Sequence, residues 1–140
     1  MLKQVIICVI VVVVVGGGYF AFSQLDKIAK ERKANEIVSP TGVTKEFEMR
    51  SFNWGWTPDT ITVDGGDKVK LTITVDANQT DQAPVPHAFG LQAFGVDEYL
   101  PVGVPKVVEF EANKRGTFPF ICSIPCGEGH FNMVGKLIVK

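Results

Sequence analysis

The sequence predicts an all-β sandwich or barrel that follows an apolar N-terminal segment. From Thr44 onward, short stretches place apolar residues at alternating positions and are separated by Gly, Pro, Asn and Asp, which is the pattern of half-buried strands and turns. These stretches number about seven and show no helical period, as in a β-sandwich. With 140 residues in total, the chain has room for one such domain and an anchor.

Residues 1–23 are predicted to form a transmembrane helix. No charged residue occurs from Val5 to Phe22, a run that as a helix would cover about 27 Å and span a bilayer. A cleaved signal peptide is the alternative, because residues 21–23 (AFS) resemble a small-x-small cleavage site. Either way we expect the rest of the chain to be exported to the periplasmic or extracellular side, as a single-pass protein of the cell membrane if the segment is retained.

The charge rule for membrane topology points the other way. Basic residues follow the span at positions 27, 30, 32 and 33, whereas Lys3 alone precedes it. Because positive charges favour the cytoplasmic side, this count places the C-terminal part in the cytoplasm. We give more weight to the metal chemistry described below, which favours export.

The remaining elements follow in chain order. Residues 24–43 are expected to be a helical extension and linker, because apolar residues recur at helical spacing from Leu25 until Pro40 and Gly42 break the pattern. Residues 44–140 form the β domain, whose clearest strand is KVKLTITV at 68–75. Further strands are predicted within KEFEMRSFNW, TITVDGGD, HAFGLQAF, KVVEFEA, GTFPFIC and GKLIVK. Five aromatic residues of this domain are assigned to its core: Phe52, Trp56, Phe89, Phe94 and Phe131.

The composition disfavours nucleic acid as a partner. The sequence has 14 basic and 15 acidic residues and a net charge of −1, so no overall field attracts a polyanion. We therefore expect no nucleic-acid binding.

The C-terminal segment CSIPCGEGHFNM concentrates residues that bind metals. Four of them form the spacing C-x3-C-x3-H-x2-M: Cys122, Cys126, His130 and Met133. The other histidine of the chain, His87, starts a predicted strand. Thiolate and thioether ligands favour copper, and a single blue-copper site uses only one Cys. The second thiolate suggests two coppers bridged by both sulfurs, with one histidine on each metal and with Met133 and the backbone carbonyl of Ile124 as weak ligands.

Two other interpretations of this segment stay open. A disulfide between Cys122 and Cys126 is expected in an exported protein without copper, but it assigns no role to the histidines or to Met133. A Cys2His2 zinc site would use both cysteines and both histidines. That spacing is unusual for zinc, and Met133 would again have no role.

Three segments together resemble a known family. The segments CSIPCGEGHFNM, PVPHAFGLQAFG and FNWGWTPDTITVDGGD are similar to the dinuclear CuA cupredoxin domain of subunit II of haem-copper oxidases, over residues 44–140. The resemblance implies a cupredoxin-like Greek-key β-sandwich with two copper ions. It also implies that electrons arrive near Trp54, and it implies these ligands: His87, Cys122, the backbone carbonyl of Ile124, Cys126, His130 and Met133.

The resemblance implies a function in one-electron transfer. Such a subunit takes an electron from cytochrome c or a small copper protein and passes it to the catalytic subunit I, and this chain alone would catalyse no reaction. Two features depart from the family: Ile124 stands where many members have a glutamate that serves a magnesium site, and one span replaces the usual two. The single span suits a minority class of oxidases or a free-standing anchored CuA protein.

Two other functions are compatible with these ligands. In the first, the chain is a stand-alone membrane-anchored CuA electron carrier or the CuA module of a nitrous oxide reductase-like system. A co-purifying catalytic subunit would distinguish it from an oxidase subunit. The other is that of a thioredoxin-like copper chaperone, in which a C-x3-C pair follows an early strand of an α/β fold.

Overall fold

The computed structural model describes residues 23–29, 37–79 and 82–140. Residues 23–29 are helical, within the predicted helical extension. No helix among the described residues is long and apolar enough to cross a membrane, and the predicted transmembrane helix at residues 1–23 lies outside the described residues except for its last position. The chain divides into two compact units between residues 36 and 37, and the described strands all belong to the second unit.

The second unit is a sandwich of two β-sheets, which confirms the predicted all-β fold. Its strands are β1 (Thr44–Phe52), β2 (Gly55–Thr57), β3 (Thr60–Val63), β4 (Lys68–Val75), β5 (His87–Leu91), β6 (Val96–Leu100), β7 (Lys106–Glu111), β8 (Gly116–Cys122) and β9 (Val134–Val139). One sheet has the order β2-β1-β4-β7, and the other has the order β3-β9-β8-β5-β6. This fold excludes the thioredoxin-like chaperone, which requires an α/β domain.

The alternation predicted for residues 68–75 is confirmed. Four apolar side chains of β4 are fully buried: Val69, Leu71, Ile73 and Val75. The residues between them are exposed or half-buried, as expected for a strand with one face on the core. The strand is interior to its sheet, because β4 pairs in parallel with β1 and antiparallel with β7.

Three buried aromatic side chains fill the core below one end of the five-stranded sheet. The ring centroid of Trp56 lies 5.8 Å from that of Phe89 and 5.9 Å from that of Phe120, edge-on in both cases. Phe89 and Phe120 are 5.2 Å apart. Because side chains alternate along a strand, His87 and Cys122, each two residues from one of these phenylalanines, project into the same interior. They are 0% and 2% exposed.

Several details differ from the sequence prediction. The stretch HAFGLQAF is not one strand, because β5 ends at Leu91 and a 3-10 turn at Gln92–Phe94 follows it. Strands β2 and β6 were not expected. Phe131 is 88% and Phe52 is 38% exposed, so both core assignments are wrong. Phe131 lies in a 3-10 turn, His130–Asn132, that has no buried residue, and Phe52 follows buried Ser51 on the outward face of β1.

The fold makes a prediction about stability. Leu71→Ala removes a fully buried side chain from the middle of β4 and is expected to lower the free energy of unfolding by about 2–5 kcal/mol, because it leaves a cavity between the sheets. Urea unfolding monitored by tryptophan fluorescence measures the change. Val107→Ala is the control, since Val107 is 55% exposed, and an equal loss for both variants would contradict the assigned core.

Candidate metal centre

The residues of the C-terminal motif meet His87 at one end of the sandwich. His87 begins β5 and Cys122 ends β8, and these strands are antiparallel neighbours in which Phe89 lies opposite Cys122. The loop after β8 returns to β9 and is closed at its base by the Cys122 N–H, which donates to the Met133 carbonyl at 3.1 Å. Strand pairing therefore brings the two histidine-bearing segments close together in space, although they are far apart in the sequence.

Both histidines face the cysteine sulfurs with the same ring nitrogen. Cys122 Sγ lies 3.4 Å from Cys126 Sγ and 3.9 Å from His87 Nδ1. Cys126 Sγ lies 3.4 Å from His130 Nδ1. The candidate ligand atoms of His87 and the two cysteines all lie within 4.8 Å of one another, so one metal site or a closely spaced pair can engage all of them.

Two weaker donors complete the cluster. The sulfur of Met133 lies 3.6 Å from Cys126 Sγ, and Met133 is fully buried. The carbonyl oxygen of Ile124 lies 3.3 Å from Cys122 Sγ. All six sequence-predicted ligand residues are thus brought together. Zinc sites use Cys, His and carboxylate ligands, whereas methionine is a weak ligand of protein copper sites, so the position of Met133 favours the copper interpretation.

Burial disfavours the charged forms of His87 and Cys126. It lowers the pKa of His87 to about 4, with nearby His130 adding to the effect, so this imidazole is neutral at pH 7. Burial, together with the neighbouring Cys122 thiol, raises the pKa of the Cys126 thiol to about 12. Both cysteines are free thiols. A bound cation reverses this balance for the thiols, since coordination deprotonates them, and two sulfurs and two imidazoles in a buried cluster fit a soft metal ion such as copper.

Trp54 contacts the loop between β8 and β9, which carries the candidate ligands Cys126 and His130. A Cβ atom on Gly127 would overlap the six-membered ring of Trp54, and one on Gly129 would overlap its five-membered ring. The centroid of the indole also lies 6.2 Å from that of His87, nearly perpendicular to it. Trp54 therefore contacts both histidine-bearing segments. This role of Gly127 and Gly129 was not predicted from the sequence, in which the one signal was the pair of glycines between Cys126 and His130.

The position of Trp54 is set by the residue before it. The Asn53 N–H donates to Gln79 Oε1 at 2.7 Å, and the Asn53 side-chain amide donates to the Ala83 carbonyl at 3.1 Å. Gln79 in turn donates to the Asp76 carbonyl at 3.0 Å. The segment leading to His87 thereby anchors the turn that presents Trp54 to the loop.

Comparison with known proteins identifies relatives of this fold and motif. Residues 12–139 match the model of the cupredoxin-like domain family. Two sequences of cytochrome c oxidase subunit 2 from Thermus thermophilus are each 28% identical over 90 residues, which is 64% of this chain. The matched region spans only 62% of one relative and 49% of the other.

Solved structures share the sandwich. The periplasmic domain of subunit II of cytochrome oxidase from Bradyrhizobium japonicum has a TM-score of 0.56 at 22% identity, over 68% of this chain and 83% of that one. A chain of a heme-copper terminal oxidase dimer has a TM-score of 0.58 at 18% identity, over 100% of both chains. At these identities the likeness is one of fold.

The contact between Trp54 and the loop between β8 and β9 predicts that a methyl group added at Gly129 lowers stability. Gly129 has φ −88°, which other residues adopt, so Gly129→Ala adds a clash with the indole without backbone strain. We expect it to lower the free energy of unfolding by about 1–3 kcal/mol, as overpacking does. The control introduces Gly129→Ala into the Trp54→Ala variant. Urea unfolding should then show no further loss of stability relative to Trp54→Ala alone. A penalty that persists without the indole would contradict this packing.

Proposed function

The chain belongs to the family of cupredoxin-like domains, and on that premise we propose that it binds two copper ions and transfers single electrons as subunit II of a haem-copper terminal oxidase. The observation that carries this proposal is the convergence of two cysteines, two histidines, a methionine and a backbone carbonyl at one end of the sandwich. A single blue-copper site uses one thiolate. The second thiolate, 3.4 Å from the first, supports a dinuclear centre.

The proposed ligands are those that the cluster brings together: His87, Cys122, the Ile124 carbonyl, Cys126, His130 and Met133. When bound, copper would supply reversible one-electron oxidation and reduction in this soft donor set. The protein holds the donors between two hydrogen-bonded strands and a closed loop. It also limits access of water, since His87, Cys122 and Met133 are at most 2% exposed. A buried and rigid set of donors suits electron transfer, because few atoms need to move when the charge changes.

Trp54 is proposed as the residue near which an electron arrives. It is half-buried, so one part of the indole reaches the surface while another lies against the ligand loop. Its ring centroid is 6.2 Å from that of His87. This combination of surface access and contact with a proposed ligand supports the role.

The proposed partners follow from the relatives. The curated relatives are cytochrome c oxidase subunits 2, which supports association with a catalytic subunit I and an electron donor that is cytochrome c or a small copper protein. We place the copper domain on the periplasmic or extracellular side of the cell membrane. The proposed organisation is an anchor at 1–23, an extension and linker at 24–43, and the copper domain at 44–140. No magnesium site is proposed, because Ile124 offers only a carbonyl.

Copper loading tests the dinuclear centre. The full chain in detergent is reduced, loaded with copper and examined by metal analysis and electron paramagnetic resonance. We expect two coppers per chain and the hyperfine pattern of one electron shared by two copper nuclei, because two thiolates 3.4 Å apart would be available to hold a pair of metals. A single-copper spectrum, or a preference for zinc with no signal, would refute the proposal.

Two substitutions test the roles of the sulfurs. Cys126→Ser is expected to abolish the shared-electron signal, because one of the two thiolates that would hold the metals is lost. Met133→Leu is a conservative change in volume and should retain two coppers with an altered reduction potential, since the thioether is a weak ligand. Protein-film voltammetry and the same resonance spectra provide the measurement, and loss of all copper in Met133→Leu would show that the methionine is not a weak ligand.

The partner subunit provides the remaining test. Affinity purification of the full chain from its native membranes should recover a haem-containing catalytic subunit. Recovery of the chain alone, with an intact dinuclear signal, would favour the stand-alone electron carrier.

A further inference from the structure

A hydrogen bond connects the start of the ligand loop to the edge strand of the five-stranded sheet. The Ser123 hydroxyl donates to Asp97 Oδ1 at 2.5 Å. Ser123 directly follows Cys122 at the end of β8, and Asp97 lies on β6. Strand β5 lies between β8 and β6, so this bond passes over an intervening strand. We refer to the pair as the Ser123–Asp97 clasp.

Gly90 provides the space for the clasp. It lies on β5 directly opposite Asp97 on one side and Ile121 on the other. A Cβ atom on Gly90 would lie 3.0 Å from the Ser123 Cβ and 3.5 Å from its hydroxyl oxygen. The backbone of Gly90 does not have the positive φ that favours glycine. The reason for glycine here is therefore the close approach of Ser123 to the strand.

The clasp acts on two proposed ligands through their shared neighbour. Ser123 is joined by peptide bonds to Cys122 and Ile124, and its N–H donates weakly to the Ala88 carbonyl at 3.3 Å. Fixing its side chain as well restricts rotation of the peptide groups on both sides. Those rotations set the direction of the Cys122 sulfur and of the Ile124 carbonyl, which lie 3.3 Å apart.

We infer that Asp97 and Ser123 are positioning residues for the metal centre, an inference that rests on the proposed function. Exposed polar pairs usually contribute little to stability, so a general structural role is a weak explanation for this one. Hydrogen bonds to a carboxylate are short and strong compared with neutral ones. A bond of this kind, attached to the residue between two ligands, controls ligand direction more than it controls global stability.

The test uses the copper-loaded full chain with Ser123→Ala, Asp97→Ala and the double variant. Each single variant should retain two coppers, show shifted visible sulfur-to-copper absorption bands, and release copper to a chelator about fivefold faster. The double variant should match either single variant, because only one interaction is lost. Gly90→Ala should produce the same shift while keeping both partners, since its methyl group separates them.

Matched controls separate positioning from a general effect of charge. Glu98→Ala removes a carboxylate from the same strand whose partner is Lys106 at 3.3 Å, and it should leave the spectrum and the release rate unchanged. Ser123→Thr keeps the hydroxyl donor and Asp97→Asn keeps an oxygen acceptor, so each of these variants should retain the wild-type spectrum. Wild-type spectra and release rates in both alanine variants, or equal changes in Glu98→Ala, would overturn the inference.

A measurement without copper keeps this test independent of the proposed function. The reduced protein is treated with oxidised glutathione. The two thiols of Cys122 and Cys126 lose two electrons and two protons to form one disulfide, and each glutathione disulfide is reduced to two thiols. Ser123→Ala and Asp97→Ala should form the disulfide about fivefold faster, because the loop must move to bring the sulfurs together. Unchanged rates relative to Glu98→Ala would overturn the clasp, whereas failure of the wild type to bind two coppers would refute only the function.

Discussion

The pairing of β5 with β8 is the constraint on which the proposed metal centre depends. Only this pairing brings the N-terminal end of one strand, where His87 lies, to the C-terminal end of the other, where Cys122 lies. The buried phenylalanines Phe89 and Phe120 hold the two strands against the opposite sheet through Trp56. The innermost proposed ligands, His87 and Cys122, therefore continue the alternating pattern of the core and share its close packing.

The loop after Cys122 is held from several directions. Its base is closed by the hydrogen bond from Cys122 to Met133, Trp54 covers its glycines, and the Ser123–Asp97 clasp ties its start to an edge strand. These supports come from three separate parts of the chain. Cys126 and Met133 of the same loop are part of the hydrophobic core, so the loop is fixed by packing as well as by these supports.

Much of the fold and of the candidate site was accessible from sequence because both depend on short, local patterns. Alternation identified β4, and residue chemistry identified the ligand motif C-x3-C-x3-H-x2-M. Strands β2 and β6 were missed, since three residues are too few for a period and VDEYL carries charge on an edge strand. Phe131 was misassigned because an aromatic side chain beside a ligand gives no sign of which way a 3-10 turn will face.

The sequence by itself determined the set of donors and the all-β class, because donor chemistry and residue alternation are properties of individual positions and their spacing. Tertiary structure alone decided which residues support those donors. That Gly90 makes room for Ser123, and that Gly127 and Gly129 make room for Trp54, depends on contacts between segments far apart in the chain. A glycine in a sequence looks the same whether it serves a turn or a close approach, and only the neighbouring side chain in space distinguishes the two.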